Sequence, residues 1–296
     1  MKLLFVHAHF DDYEFTAAGT FEKWRRQAKG SLRRRVVVCT DGGAGHHRLS
    51  REATAHRRLE EQLEAARLGG FEFSLLQDSL GRPFREARLA TSTEFLPALW
   101  REIREYEPDY LFCPPIPQST LVGVHVDHLD VAQAIRSVGY MINVPHAFTP
   151  EFPDSGGEAR HVRTPVILTT YDGYMAGGHG HDLAVEITDV ADLAADLAWC
   201  HASQLREWLP WVDRHNLSAP SNPVAWREQF RELIARRKRA LGICSEGLFE
   251  VFSVTAWGAV PSLEQLLADI PGICAPASHL DRLSSRLSEW RAAGGE

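Results

Sequence analysis

The chain has 296 residues, a formal net charge of −7, 44% hydrophobic residues and 24% charged residues. That balance suits a soluble globular protein able to bury a full core, and an acidic net charge with pI near 6.1 argues against a nucleic-acid partner. The five cysteines are widely spaced with no C-x-x-C pair, residues 1–30 lack a signal-peptide apolar region, and no 18-residue apolar run occurs; the expectation is a cytoplasmic protein with reduced core thiols and no membrane contact.

In chain order, residues 3–7 read as a buried strand, followed by a motif loop and a helix over 14–29 closed by Gly30. Residues 36–40 form a second strand running into the loop Asp41, Gly42, Gly43, Ala44, Gly45, His46, His47. Its glycines are compared with a dinucleotide fingerprint, but Arg48 stands where the third glycine belongs. A helix from Ser50 with apolar residues at 55, 59, 63 and 66 stops at Gly69 and Gly70, before a strand over 71–76. Apolar spacing at 95, 96, 99, 100 and 103 gives a helix ending before Pro108, and 110–113 a strand leading to the loop with His125, Asp127 and His128. Positions 131, 134, 135 and 138 make the next helical stripe, with His128 in its first turn. The basic runs 33–35 and 236–239 are read as solvated loops or helix faces rather than phosphate contacts.

The pattern dissolves over 140–160, then strands over 166–170 and 183–187 flank a glycine- and histidine-rich loop at 171–181 that could wall the same crevice. His179, His181 and Asp182 in it are weighed as a separate metal site, against incidental histidines in a glycine loop. Beyond 188 the chain reads as mainly helical. Asp189 and Asp192 start one helix with apolar residues at 193, 197, 205 and 208, Asn222 and Pro223 a second, and residues 249–254 are a short strand. A terminal helix from Ser278 carries Leu280, Leu283, Leu287 and Trp290 as a stripe for the core or for a partner subunit, so a homo-oligomer stays open.

Strands alternating with helices of this length predict an α/β, Rossmann-like fold with a mostly parallel sheet and helices on both faces. Residues 1–296 are read as one domain, with an α/β core over 1–187 carrying the site and a mainly helical part over 188–296. Ligands in such folds gather at the carboxyl ends of strands. His9, Asp11 and Asp12 follow one strand, and His125, Asp127 and His128 follow another. A catalytic zinc takes three such protein ligands and keeps a position open for water, and His9, Asp12 and His128 satisfy this if the loops converge. The competing reading is a helix cap with a hydrogen-bonded histidine. Asp11 is the candidate base. His125 would face a developing oxyanion or protonate a leaving amine, with Asp127 holding its imidazole.

Ala8, His9, Asp11, Asp12, Glu14, Gly19 and Thr20 match the pattern A-H-P-D-D-x-E-x-x-x-G-G-T, and His125, Asp127 and His128 match H-x-D-H. On these motifs the chain resembles the LmbE / PIG-L family of zinc-dependent N-deacetylases. The likeness extends over Thr40, Asp41 and Gly42 with Ala44 and Gly45, Arg51 to Ala53, Leu68 with Gly69, and His201 to Gln204, and so over most of the first 205 residues. Phe10 stands in place of the family's Pro and Ala18 in place of the first Gly. The resemblance implies metal ligands His9, Asp12 and His128, base Asp11, assistance from His125 and Asp127, and substrate binding by Arg51. It also implies one zinc per chain, other divalent metals being admissible, and hydrolysis of the acetamido group of a small N-acetylated amino sugar or its conjugate. Alternatives are an amidase acting on a thiol conjugate or other small amide and, from another class, a nucleotide-binding transferase of doubly wound fold.

Overall fold

In the computed structural model the described residues are 1–28, 30–148, 160–175, 180–212 and 217–294. The first half alternates β1 (Lys2–His7), α1 (Asp12–Thr16), α2 (Ala18–Gln27), β2 (Arg33–Val38), α3 (Arg51–Gly69), β3 (Glu72–Leu75), α4 (Phe95–Tyr106), β4 (Tyr110–Cys113) and α5 (Val126–Tyr140). There follow β5 (Val166–Thr169), β6 (Leu183–Glu186), α6 (Ala191–Trp199), a π-helical segment Ser203–Trp208, α7 (Leu209–Val212), α8 (Pro223–Ala240), β7 (Phe249–Val254), α9 (Leu263–Asp269) and α10 (Leu280–Gly294).

The strands form a seven-stranded sheet in the order β3-β2-β1-β4-β5-β7-β6. The first five are parallel; β7 runs antiparallel to both β5 and β6. The order reverses between β1 and β4, and at such a switch point the loops leaving two adjacent strands diverge and open a crevice at their carboxyl ends. One face of the sheet is covered by an aromatic core including Phe21, Trp24, Trp226 and Phe230, the other by Trp100, Ile103, Val131 and Ile135 from α4 and α5. This is the α/β architecture expected from the alternation, with an antiparallel strand inserted late.

Several local expectations are corrected. The single helix expected over 14–29 is two helices that break at Ala17, whose φ of −145° is not helical. No side chain at Ala17 caps α2; instead the buried Glu250 carboxylate on β7 accepts from Gly19 N at 2.9 Å and Thr20 N at 2.7 Å. Glu250→Ala would leave two buried donors unpaired and is expected to destabilise the protein by about 1–3 kcal/mol, read from the denaturant midpoint. An unchanged midpoint would mean that water replaces the carboxylate. The apolar stripe expected on α3 is only partly its buried face: Ala66 is buried and Leu59 packs on the core, but Leu63 is 51% exposed, and Thr54, Arg58 and Gln62 point inward. The helix expected from Asp189 ends at Trp199, and the chain resumes after Cys200 and His201 as the π-helical segment. Asp189 does not cap α6 and pairs with Lys23 instead.

Arg33 and Arg35 are neither loop nor helix face; they sit in β2 and pair with Glu72 and Glu102. Cys39 and Cys113 are buried core thiols, whereas Cys244 is exposed. On α10, Leu283 and Leu287 are buried in the protein's own core. Among the described residues no helix is long and apolar enough to cross a membrane.

Candidate metal centre and its cavity

The polar residues after β1 meet those at the start of α5. His125 is the N-cap of α5, so His128 falls in the first turn and Asp127 is buried beneath. His9 Nδ1 lies 3.1 Å from His128 Nε2, and the Asp12 carboxylate oxygen Oδ2 lies 3.5 Å from each of those two nitrogens. Ligand atoms about 2.0–2.1 Å from a tetrahedral zinc are necessarily about 3.3 Å apart, so this triangle has the size a metal requires. The other nitrogen of each ring is tied to a carboxylate: His9 Nε2 to Asp127 Oδ2 at 3.1 Å and His128 Nδ1 to Asp172 Oδ2 at 2.8 Å. Such outer carboxylates fix the tautomer that leaves the inner nitrogen free to ligate.

Two further groupings of potential ligands overlap this one, His9 with His125 and His128, and His7 with Asp12 and His128. His7 Nδ1 is 2.5 Å from Asp12 Oδ2, a hydrogen-bond separation too short for two ligands of one ion, so His7 is the hydrogen-bond partner of that carboxylate. His125 Nδ1 accepts from the backbone N–H of Asp127 at 3.3 Å, which leaves its proton on Nε2.

Electrostatics follow from this packing. Burial works against charge on His9 and His128, but Asp12 and Asp127 push His9 up to about 10, and Asp12 and Asp172 push His128 up to about 9. Asp12 is held well below the usual carboxylate range despite burial, by His7 and His128. The carboxylates around His9 and His128 thus favour a cation at this point, and a metal ion would displace the proton shared between the two facing nitrogens. His125, by burial and the neighbouring His9 and His128, is pushed down to about 4 and is a neutral donor at pH 7.

Asp11 points elsewhere. It has φ of +82°, uncommon for a residue with a side chain, and its Oδ1 lies 3.2 Å from Arg58 Nη2. Burial pushes its carboxyl up to about 6, with Arg58 opposing. Arg58 also donates to the Phe10 carbonyl at 2.5 Å, fixing the loop at the position where Phe replaces proline. Asp11, Asp12, His9 and His125 line a cavity of about 400 Å³ whose other walls include Arg58, Glu86, Tyr174, Gln204 and Trp208.

Two expectations on roles meet a different geometry. The Asp127 carboxylate does not hold His125: it accepts from His9 Nε2 and from Ala87 N at 2.7 Å, and only its backbone N–H reaches His125. Arg51 does not line the cavity; its Nη2 donates to Asp41 at 2.8 Å and to the Glu86 carbonyl at 3.2 Å. Arg51→Ala is therefore expected to cost about 1 kcal/mol of stability with KM nearly unchanged, measured by melting and steady-state kinetics. A several-fold rise in KM with an unchanged melt would return Arg51 to the substrate.

Arg58, Glu86, Asp172 and Tyr174 are site residues not singled out from the sequence. Arg58 had a signal, a polar Thr54, Arg58, Gln62 stripe at helical spacing; Asp172 and Tyr174 lie in the loop expected to wall the crevice. In the 41–47 loop the Gly43 and Ala44 amides are taken by Asp41 and Glu86 carboxylates, so they form no cradle for a phosphate. Of the alternative metal trio, His179 lies outside the described residues, His181 Nε2 bonds the Ala277 carbonyl, and Asp182 pairs with Arg286 and accepts from Val254 N.

Residues 4–138 match the family model described as PIG-L, GlcNAc-PI de-N-acetylase. Among solved structures, the N,N'-diacetylchitobiose deacetylase of Pyrococcus horikoshii, complexed with its inhibitor, is 22% identical over 86% of this chain and 84% of its own, with a TM-score of 0.63. A conserved protein of Thermus thermophilus is 19% identical over 85% and 93%, TM-score 0.58. The 4-carboxy-2-hydroxymuconate hydratase of Pseudomonas putida is 16% identical over 86% and 95%, TM-score 0.59. These likenesses establish a common fold, and a hydratase among them means that the fold alone does not dictate the reaction.

Proposed function

We propose that the chain, whose residues 4–138 match the PIG-L family model, is a zinc-dependent N-deacetylase that releases acetate from an N-acetylated amino sugar or its conjugate. The observation that carries this reading is the triangle of His9 Nδ1, Asp12 Oδ2 and His128 Nε2, with both imidazoles backed by carboxylates, opening on the cavity that Asp11 also lines. A zinc ion held by these three residues would lower the pKa of a water molecule and polarise the acetamido carbonyl.

The remaining work falls to the chain's own side chains. Asp11, ionised at neutral pH but with its basicity raised by burial, takes a proton from the attacking water and returns it to the departing nitrogen. Arg58 holds that carboxylate in place. His125, neutral and protonated on Nε2, donates a hydrogen bond to the developing oxyanion; its depressed basicity makes this role fit better than protonating the amine. Glu86, Gln204 and Trp208 give the cavity the mix of hydrogen-bonding groups and an aromatic face that suits a saccharide.

The test is metal analysis of the purified protein together with acetate release from a panel of N-acetylated amino sugars. About one zinc per chain and acetate release from a panel member are expected. A protein that takes up no divalent metal, or a fully loaded one that releases no acetate, would remove the proposal. Asp172→Asn is further expected to weaken metal affinity by about 10- to 100-fold, since it loosens the hydrogen bond that orients His128. Competition against a chromophoric chelator measures this, and equal affinity would make Asp172 a loop anchor only.

A further inference from the structure

A second, smaller chamber of about 80 Å³ adjoins the same residues. It shares Asp11, Asp12, Tyr174 and Leu209 with the 400 Å³ cavity; His7, His128 and Asp172 form its inner end beside the metal triangle, and Phe15 of α1, Leu217, Leu233 of α8 and Arg237 form the rest of its wall together with Thr16 and Tyr171. An amide also has two unequal sides. The amine side here is a sugar or conjugate, and only the larger, more polar cavity can take it; the acyl side then faces the small chamber.

Arg237 is the unusual member. Its guanidinium donates to the Phe15 carbonyl and lies 5.1 Å from the centre of the Tyr171 ring; among the described residues no carboxylate is within ion-pair distance of it, and Glu250 and Asp172 act on it only from farther away. The guanidinium is part-buried at the chamber wall, and a carboxylate arriving in the chamber would pair with it directly, a charge-assisted contact that Asp172 and Glu250 do not make. Hydrolysis creates such a carboxylate: the carbon–nitrogen bond breaks, the water oxygen joins the acyl carbon, and the acid departs as an anion.

Resting on the deacetylase reading, we propose that this chamber is the acyl side of the site, that Phe15, Leu217 and Leu233 restrict it to short acyl chains, and that Arg237 receives the carboxylate product. An N-formyl, N-acetyl, N-propionyl and N-butyryl glucosamine series would be compared on the zinc-loaded wild type, Leu233→Ala and the milder Leu217→Val. In parallel, acetate binding to wild type and Arg237→Gln would be titrated by ligand-observed NMR, with melting curves for every variant. Expected are a fall in kcat/KM of about tenfold or more per methylene beyond acetyl in wild type, and an acetyl-to-butyryl ratio narrowed about tenfold by Leu233→Ala. Arg237→Gln is expected to weaken acetate about tenfold, the loss of a charge-assisted pair. A wild type indifferent to acyl length, or a folded Arg237→Gln that binds acetate as well as wild type, overturns the proposal while leaving deacetylation intact. A wild type that hydrolyses none of the series yet binds acetate through Arg237 upholds the chamber and removes the deacetylase reading instead.

Discussion

His9→Ala and His128→Ala are each expected to lower zinc affinity by at least about 100-fold and to reduce acetate release in proportion to the metal lost. Structural zinc sites bind with apparent free energies of about 10–16 kcal/mol shared among four ligands, so one ligand of a smaller set is worth several tenfold steps. Each histidine supplies one corner of a triangle whose edges are 3.1, 3.5 and 3.5 Å. The two histidines beside it that could replace one are held otherwise: His7 Nδ1 is engaged by the Asp12 carboxylate, and His125 Nδ1 accepts from the Asp127 amide. Both variants remove a buried polar ring, so their melting curves must be compared metal-free, where a ligand role and a structural role separate. Full zinc occupancy in a folded His9→Ala or His128→Ala protein would strike that residue from the ligand set.

The sequence made the strands and the two motif loops legible because their signals are local. A buried parallel strand is a short apolar run, and β1, β4 and β5 each read that way from side chains that meet helices on both faces. The inward face of α3 was misread because it serves the site: Arg58 and Gln62 point in to reach Asp11 and Glu14, and an apolar-periodicity argument assigns such a stripe to solvent. The break at Ala17 was hidden for a different reason. What caps the start of α2 is Glu250, over two hundred residues away, and no local spacing announces a cap contributed from β7. The same applies to the partner of His128. Asp172 stood in a loop that could be placed beside the crevice, but only the pairing of β4 with β5 brings its carboxylate to Nδ1. Asp127 shows the opposite error: adjacency in sequence suggested that it holds His125, whereas the first turn of α5 aims its carboxylate at His9.

Asp11→Asn should retain zinc while kcat falls by roughly 10²- to 10⁴-fold, the usual worth of general acid–base catalysis. The two neighbouring carboxylates are separated by geometry: Asp12 faces His7, His9 and His128, whereas Asp11, turned by its positive φ, faces Arg58 and the cavity. An asparagine at 11 keeps the size of the side chain and a donor-acceptor pair but cannot accept a proton at neutral pH, so KM should move little. The pH profile supplies a second readout. A base works ionised, so wild-type kcat/KM should rise with pH through the Asp11 pKa and be lost on acidification. Burial places that carboxyl at about 6 in the cation-free protein, and a bound cation favours the carboxylate, so the acid limb should lie at or below that value. The residual activity of Asp11→Asn should lack this limb. Asp12→Asn should instead lose metal, because a neutral amide is a poorer ligand for a dication than a carboxylate. If Asp11→Asn lost its zinc while Asp12→Asn kept it with a depressed kcat, the two roles would be exchanged; if both kept wild-type rates, the hydrolytic mechanism built on this pair would fall.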